Sequence, residues 1–258
     1  MNNRTEGLFG LNPLLEALNA GTREFGKVYI ARGIFSKGVD EIIKLCKLQG
    51  VPVHFENRES LDRIAGTKKH QGIFGIVAAK GFSSVEEIID IAVRKKETPF
   101  ILILDGVEDP RNLGAIIRTA DCAGVHGIVI PKHRAAGLTD TTAKTSAGAV
   151  EYVPVARVTN IVKTIDWLKE KGLWIYGLDM SGEKEYTAVS CDIPLAVVIG
   201  GEGRGIRESI RKVCDVRIRI PLLGKINSLN VSVATGVVLF EIVKQRHKKV
   251  SDIRNSKK

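Results

Sequence analysis

Three short stretches of this chain bring together side chains that could do chemistry. The first is Asp109-Pro110-Arg111-Asn112-Leu113-Gly114, with Arg118 further along the same predicted helix. Asn112 is placed to cap that helix, and Arg118 stands two turns in, on nearly the same face as Arg111. A bland alternative is a surface helix with an Arg118–Asp121 ion pair. The second is Gly200-Gly201-Glu202-Gly203-Arg204-Gly205, four glycines in six positions around one carboxylate. A glycine-rich turn lets a ligand approach the backbone closely, and its free N–H groups can hold an anion or a purine edge. The third is Ser228-Leu229-Asn230, two good capping residues ahead of a long apolar segment.

Several chemistries fail on spacing. A dinucleotide fingerprint needs G-x-G-x-x-G, whereas Gly201, Gly203 and Gly205 give G-x-G-x-G after a late strand. A phosphate loop ending in Gly-Lys-Ser/Thr is absent. The five histidines have no ligand spacing, so no metal set emerges. Cys46, Cys122, Cys191 and Cys214 form no CxxC pair and sit in apolar segments, as buried reduced thiols do. No nucleophile–base arrangement can be argued.

The elements that must position these stretches alternate. Apolar runs at 100–104, 127–131, 174–178, 195–199 and 216–220 read as strands, with helical patterns at about 113–123, 140–148, 160–171 and 205–213. Buried strands with helices between them predict an α/β fold on a parallel sheet. Ligands then bind beyond the carboxyl ends of the strands. Residues 231–245 are rich in β-branched side chains, but their length predicts a buried helix, of a kind that often packs against a second subunit. Ahead of this domain, residues 8–80 read as a small α/β unit with helices around Leu11–Leu18 and Val39–Cys46, and strands at 28–31, 51–55 and 73–77. Lys68-Lys69-His70-Gln71-Gly72 reads as a solvated basic turn. Ser84 and Glu87 form a capping box for the connecting helix. The expected division is 1–80, a linker and helix at 81–98, a main domain at 99–250 and a basic tail at 251–258.

At 258 residues there is room for two cores, and a net charge of +10 attracts polyanions such as RNA. Aromatic content of 5% argues against an extended base-stacking platform. No apolar run approaches the roughly 18 residues of a membrane span, and no signal peptide is visible, so a cytoplasmic protein without membrane partners is expected.

Taken together, the three stretches resemble the motifs of the SpoU family of RNA ribose 2′-O-methyltransferases, in the SPOUT superfamily. The N-terminal unit, with Phe9-Gly10-Leu11-Asn12-Pro13 and His70-Gln71-Gly72, is similar to the family's ribosomal-protein-like substrate-binding domain. The two-domain arrangement is most like bacterial enzymes that methylate a guanosine ribose of 23S rRNA. The resemblance implies a deep C-terminal trefoil knot, which ordinary topology rules would not suggest. It implies S-adenosylmethionine as cofactor, held by Gly200, Gly201, Ile220 and Leu229, with Leu178 added by position. It also implies a homodimer through the C-terminal domain, with rRNA as partner. By the same resemblance Asn112, Arg118, Glu202, Ser228 and Asn230 form the catalytic group. Arginine stays protonated, so Arg118 is expected to bind a phosphate and steady a developing alkoxide, with the others orienting it and the ribose. Competing expectations are a tRNA or antibiotic-resistance rRNA methyltransferase of the same family, an inactive RNA-binding protein and, more distantly, a NAD-binding oxidoreductase.

Overall fold

The computed structural model describes residues 5–255. The chain divides into two compact units, Met1–Gly81 with Gly137–Tyr152, and Phe82–Ala136 with Val153–Lys258.

The first unit opens with β1 (Thr5–Phe9), α1 (Leu11–Ala20), β2 (Phe25–Ala31), α2 (Lys37–Leu48), β3 (Val53–Glu56), α3 (Arg58–Ala65) and β4 (Ile73–Ala78). Its sheet runs β1-β4-β2-β3, with β4 antiparallel to both neighbours and β2 parallel to β3. α1 buries Leu14, Ala17 and Leu18 and stops at Gly21, whose φ of 61° suits glycine. β1 and α3 escape the sequence reading because each buries a single side chain deeply, Leu8 and Leu61, too little to set a period. The solvated-turn reading of residues 68–72 is overturned at His70, which is fully buried. Its Nδ1 accepts from the Gly72 N–H at 2.8 Å, leaving Nε2 to donate to Asp62 at 2.6 Å. Lys68 and Lys69 do stay exposed.

The second unit is built from α4 (Val85–Lys95), β5 (Phe100–Asp105), α5 (Pro110–Cys122) and β6 (Gly127–Pro131), followed in sequence by α6 (Asp140–Thr145) and a 3₁₀ turn (Ala149–Glu151). Then come β7 (Val155–Val158), α7 (Ile161–Glu170), β8 (Trp174–Leu178), β9 (Lys184–Glu185), β10 (Leu195–Gly200), α8 (Glu208–Arg211), β11 (Val216–Arg219) and α9 (Val231–Asn255). All seven strands are parallel, in the order β7-β6-β5-β10-β8-β11-β9. Every residue of β5 is buried, and Ile101, Ile103, Ala196, Val198 and Ile175 join Ile88 of α4 and Ile165 of α7 in one core. The Ser84–Glu87 capping box forms as expected, with Ser84 N donating to Glu87 at 2.8 Å and Glu87 N to Ser84 at 3.1 Å. The short strands β7 and β9 were not foreseen. α6 and α8 are shorter than their patterns suggest, whereas α9 runs past both Gln245 and the expected tail boundary, to Asn255. Residues 256–258 of that tail lie outside the described residues.

Residues 137–152 follow β6 in sequence yet pack with the first unit, contrary to their expected place in the main domain. Charge explains the allegiance. Glu151, its side chain only 1% exposed, accepts from Arg23 Nε at 3.1 Å, from Thr22 at 2.9 Å and from Lys80 at 3.3 Å. Arg23 NH2 also lies 2.7 Å from Glu151 Oε1, close enough for attraction but not aligned as a hydrogen bond, and Arg23 NH1 pairs with Glu6. Burial pushes the Glu6 carboxyl up and the Lys80 ammonium down, each opposed by its partner, Arg23 or Glu151.

Candidate active site

The site lies in the second unit, along the carboxyl edge of its sheet. β5 and β10 are neighbours in register, so their following loops emerge side by side. They are tied by backbone: Gly201 N donates to Asp105 O at 2.7 Å, and Gly205 N to Gly201 O at 3.1 Å. The crossing leaves no room for side chains. A Cβ on Gly201 would sit 1.9 Å from the Gly106 carbonyl oxygen, and one on Gly200 would sit 2.0 Å from the Gly205 carbonyl carbon. Asp105, the buried last residue of β5, accepts from Arg207 N at 2.9 Å and from Arg207 Nε at 2.7 Å. It pins both ends of the glycine loop. The sequence reading gave Asp105 no role, although a carboxylate ending a fully buried strand is a signal in itself.

Three of the expected catalytic residues meet here. Asn112 Nδ2 donates to Glu202 Oε1. Asn230 Nδ2 donates to Asn112 Oδ1 at 3.1 Å and to Glu202 Oε1 at 3.3 Å. Asn230 also caps α9, its Oδ1 accepting from Ser232 N at 3.0 Å. Asn112 is not the cap of α5: Asp109 is, accepting from Arg111 N at 2.8 Å. That change frees the Asn112 amide to reach across to the glycine loop. The polar cleft beside the network holds about 420 Å³ and is lined by Asp105, Asn112, Arg134, Glu202, Arg204 and Arg207, among others.

The other two expected catalytic residues are not gathered in. Arg118 is exposed on α5 and does not line the cleft. Among the described residues it has no hydrogen-bond or ion-pair partner, so the Arg118–Asp121 pair does not form. Ser228 lies in the exposed segment 221–230, without a hydrogen bond among the described residues. The expected cofactor residues sort by strand. Leu178 is in register with Ile199 and Ile218, so Leu178, Gly200 and Ile220 fall along the adjacent ends of β8, β10 and β11. Ile220 itself is one residue past its strand. Leu229 is 41% exposed, and Leu223 and Ile226 more so. Next to Leu178, burial drives the Asp179 carboxyl upward, but hydrogen bonds from Ser181 and the charge of Arg211 outweigh this and hold it below the usual range.

Three of the thiols are chemically quiet. Burial pushes Cys46, Cys191 and Cys214 up to about 11, far from nucleophilic. Cys122, against expectation, is exposed. Among the described residues no helix is long and apolar enough to cross a membrane.

An open parallel sheet with glycine-lined strand ends and an amide–carboxylate network over its carboxyl edge has the form in which open α/β sheets bind ligands at their loops. Comparison with known proteins gives the family. Residues 99–240 match the SpoU rRNA methylase family, and residues 8–83 match the family described as RNA 2′-O ribose methyltransferase substrate binding. A Bacillus subtilis (strain 168) protein, assigned by name to the TrmH family of tRNA/rRNA methyltransferases, is 41% identical over 96% of this chain and 98% of its own length. The AdoMet-bound rRNA methyltransferase of Sinorhizobium meliloti superposes with a TM-score of 0.76 at 27% identity, covering 93% of this chain and 87% of that one. The SpoU methyltransferase AviRb of Streptomyces viridochromogenes, in complex with AdoMet, shares the fold at a TM-score of 0.80 and 23% identity, over 95% and 91% of the two chains. The chain belongs to the SpoU rRNA methylase family. It is an RNA methyltransferase.

Proposed function

We propose that the protein methylates a ribose 2′-hydroxyl in 23S rRNA, at a guanosine. The observation that carries this reading is the network joining Asn112, Glu202 and Asn230, which locks three loops around one cleft. The match of residues 8–83 to a 2′-O ribose methyltransferase substrate-binding family supports the choice of ribose.

In this reading the methyl donor is S-adenosylmethionine, and the residues present fit it. Glycines at 200 and 201 leave backbone as the only surface at the end of β10. Leu222, Leu223, Ile226 and Leu229 offer exposed apolar side chains just past β11, suited to a purine face. Leu178, Gly200, Gly201, Ile220 and Leu229 would hold the group. When bound, it supplies an electrophilic methyl on a sulfonium. The chain's own residues then orient the acceptor: Asn112, Glu202 and Asn230 hold the ribose, with Ser228 beside them. Arg118 binds the neighbouring phosphate and steadies charge growing on the 2′-oxygen. The C-terminal trefoil knot belongs to the same reading.

So does a homodimer through the second unit. α9 exposes Val233 and Phe240, and packs along α5, where Arg118 has no partner among the described residues. A second copy seated on that face would let Arg118 serve the other copy's cleft.

The test is to map ribose methylation in rRNA and tRNA from cells with and without the protein. Loss of one 2′-O-methyl group in 23S rRNA is expected. A change confined to tRNA, or to a base, would overturn the substrate assignment.

A further inference from the structure

We infer that Arg134 grips a phosphodiester of the RNA strand lying in the cleft. The inference rests on the reading of the second unit as an RNA ribose methyltransferase. Arg134 lies three residues past β6 and Arg204 four residues past β10, the two strands that flank β5. Adjacent strands stand about 4.8 Å apart, so the two loops are rooted about 10 Å apart, one on each side of the β5 loop that leads to Asn112. Both arginines are exposed and both line the cleft. The third arginine of the lining, Arg207, is held by Asp105. Arg134 and Arg204 have no hydrogen-bond or ion-pair partner among the described residues, although Glu108, Asp109 and Glu202 line the same cleft.

The backbone adds a second observation. Arg134 has a φ of 59°, in the left-handed region. Four non-glycine residues do so among the described residues, and one of them, Lys96, closes helix α4, where that conformation is ordinary. Arg134 closes no helix. Its turn is fastened by Ala136 N donating to Val107 O at 2.9 Å, which sets it against the β5 loop. Glycine or asparagine would suit this backbone better, so the turn itself does not call for an arginine. A guanidinium fork matches phosphate oxygens in geometry and charge, and an open cleft between two unpaired forks suits a strand with a phosphate on either side of the reacting ribose.

The strained backbone makes the test clean. Arg134→Gly removes the guanidinium and relieves the left-handed φ, so Tm should stay level or rise. With an unmodified 23S rRNA transcript, KM should rise about tenfold or more while kcat at saturating RNA stays within about twofold. The slope of log Kd for RNA against log salt should become shallower by about one. S-adenosylmethionine affinity should be unchanged. Arg134→Lys should recover only part of the loss, and Arg204→Ala should act in the same direction. Wild-type KM and salt slope in Arg134→Gly would overturn the inference. Weakened S-adenosylmethionine binding would overturn it too, by assigning Arg134 to the cofactor's carboxylate. If the wild-type protein binds the transcript but transfers no methyl group to it, the proposed function fails, and the salt slopes still decide Arg134.

Discussion

Each unit contains a cluster of acidic and amide or basic side chains joined over a long stretch of sequence, and these two clusters differ in what surrounds them. In the first unit, Glu151, Arg23, Lys80 and Thr22 close on one another, with Glu151 and Arg23 almost wholly buried. In the second, Asn112, Glu202 and Asn230 are hydrogen-bonded to each other, and Asn112 and Glu202 still open onto a cleft. Both use long-range pairs, with Thr22 and Glu151 129 positions apart and Asn230 and Asn112 118 apart. The difference lies in access. A closed ionic cluster holds two segments together and leaves nothing over for a ligand. An open one is held in shape and still presents polar atoms to whatever enters.

The largest expected effect is in the closed cluster. Glu151→Ala leaves Arg23 buried without its main counter-charge and should cost about 3–5 kcal/mol of stability, measured by urea unfolding. A loss below about 1 kcal/mol would show that the cluster is not the fastening its burial suggests. Next comes Arg118, which has no hydrogen-bond or ion-pair partner among the described residues. Arg118→Ala should lower turnover roughly a hundredfold, about 2.7 kcal/mol, with cofactor affinity and Tm nearly unchanged. Arg118→Lys should rescue little, because lysine keeps the charge and loses the planar fork. Wild-type methylation by either variant would remove Arg118 from the chemistry.

Asn230 tests whether the open cluster is also structural. Asn230→Ala removes a helix cap and should cost about 1 kcal/mol, together with at least a tenfold fall in turnover; Asn230→Ser should restore stability and leave activity low. Recovery of both together would make capping its whole role. The smallest effect concerns His126, another buried polar group closed by its neighbours. Its Nδ1 accepts from Phe100 N at 3.0 Å, and Nε2 lies 3.0 Å from Glu97. Burial lowers its pKa despite the pull of Glu97. The unfolded chain therefore takes up the proton first. Stability from this group is full above the ordinary value of about 6.5 and is lost as pH falls through the lower folded value. Melting curves between pH 7.5 and 5 should show a drop that His126→Gln flattens, and an equal drop in that variant would assign it elsewhere.

Much of this protein was legible along the chain. Buried parallel strands announce themselves as apolar runs, which is why β5, β6, β8 and β10 fall where the pattern puts them. The Ser84–Glu87 cap and the glycine loop are local chemistry, readable within a few residues. The motifs carried the family, because residue types at fixed spacing survive without knowledge of their neighbours in space. What tertiary structure decided is everything set by sheet order. Only with β10 seated between β5 and β8 do the β5 and β10 loops cross at Gly201, and only then does Asp105 become a pin. Asp109, directly before the Pro110 that opens α5, took the cap that Asn112 was expected to hold, and the Asn112 amide meets Glu202, 90 positions away. Residues 137–152 joined the first unit because a buried Glu151 needs its cations, and those cations lie in that unit. Helical and strand periods come from neighbours within a turn or a pleat, whereas these pairings come from contacts that no local pattern encodes.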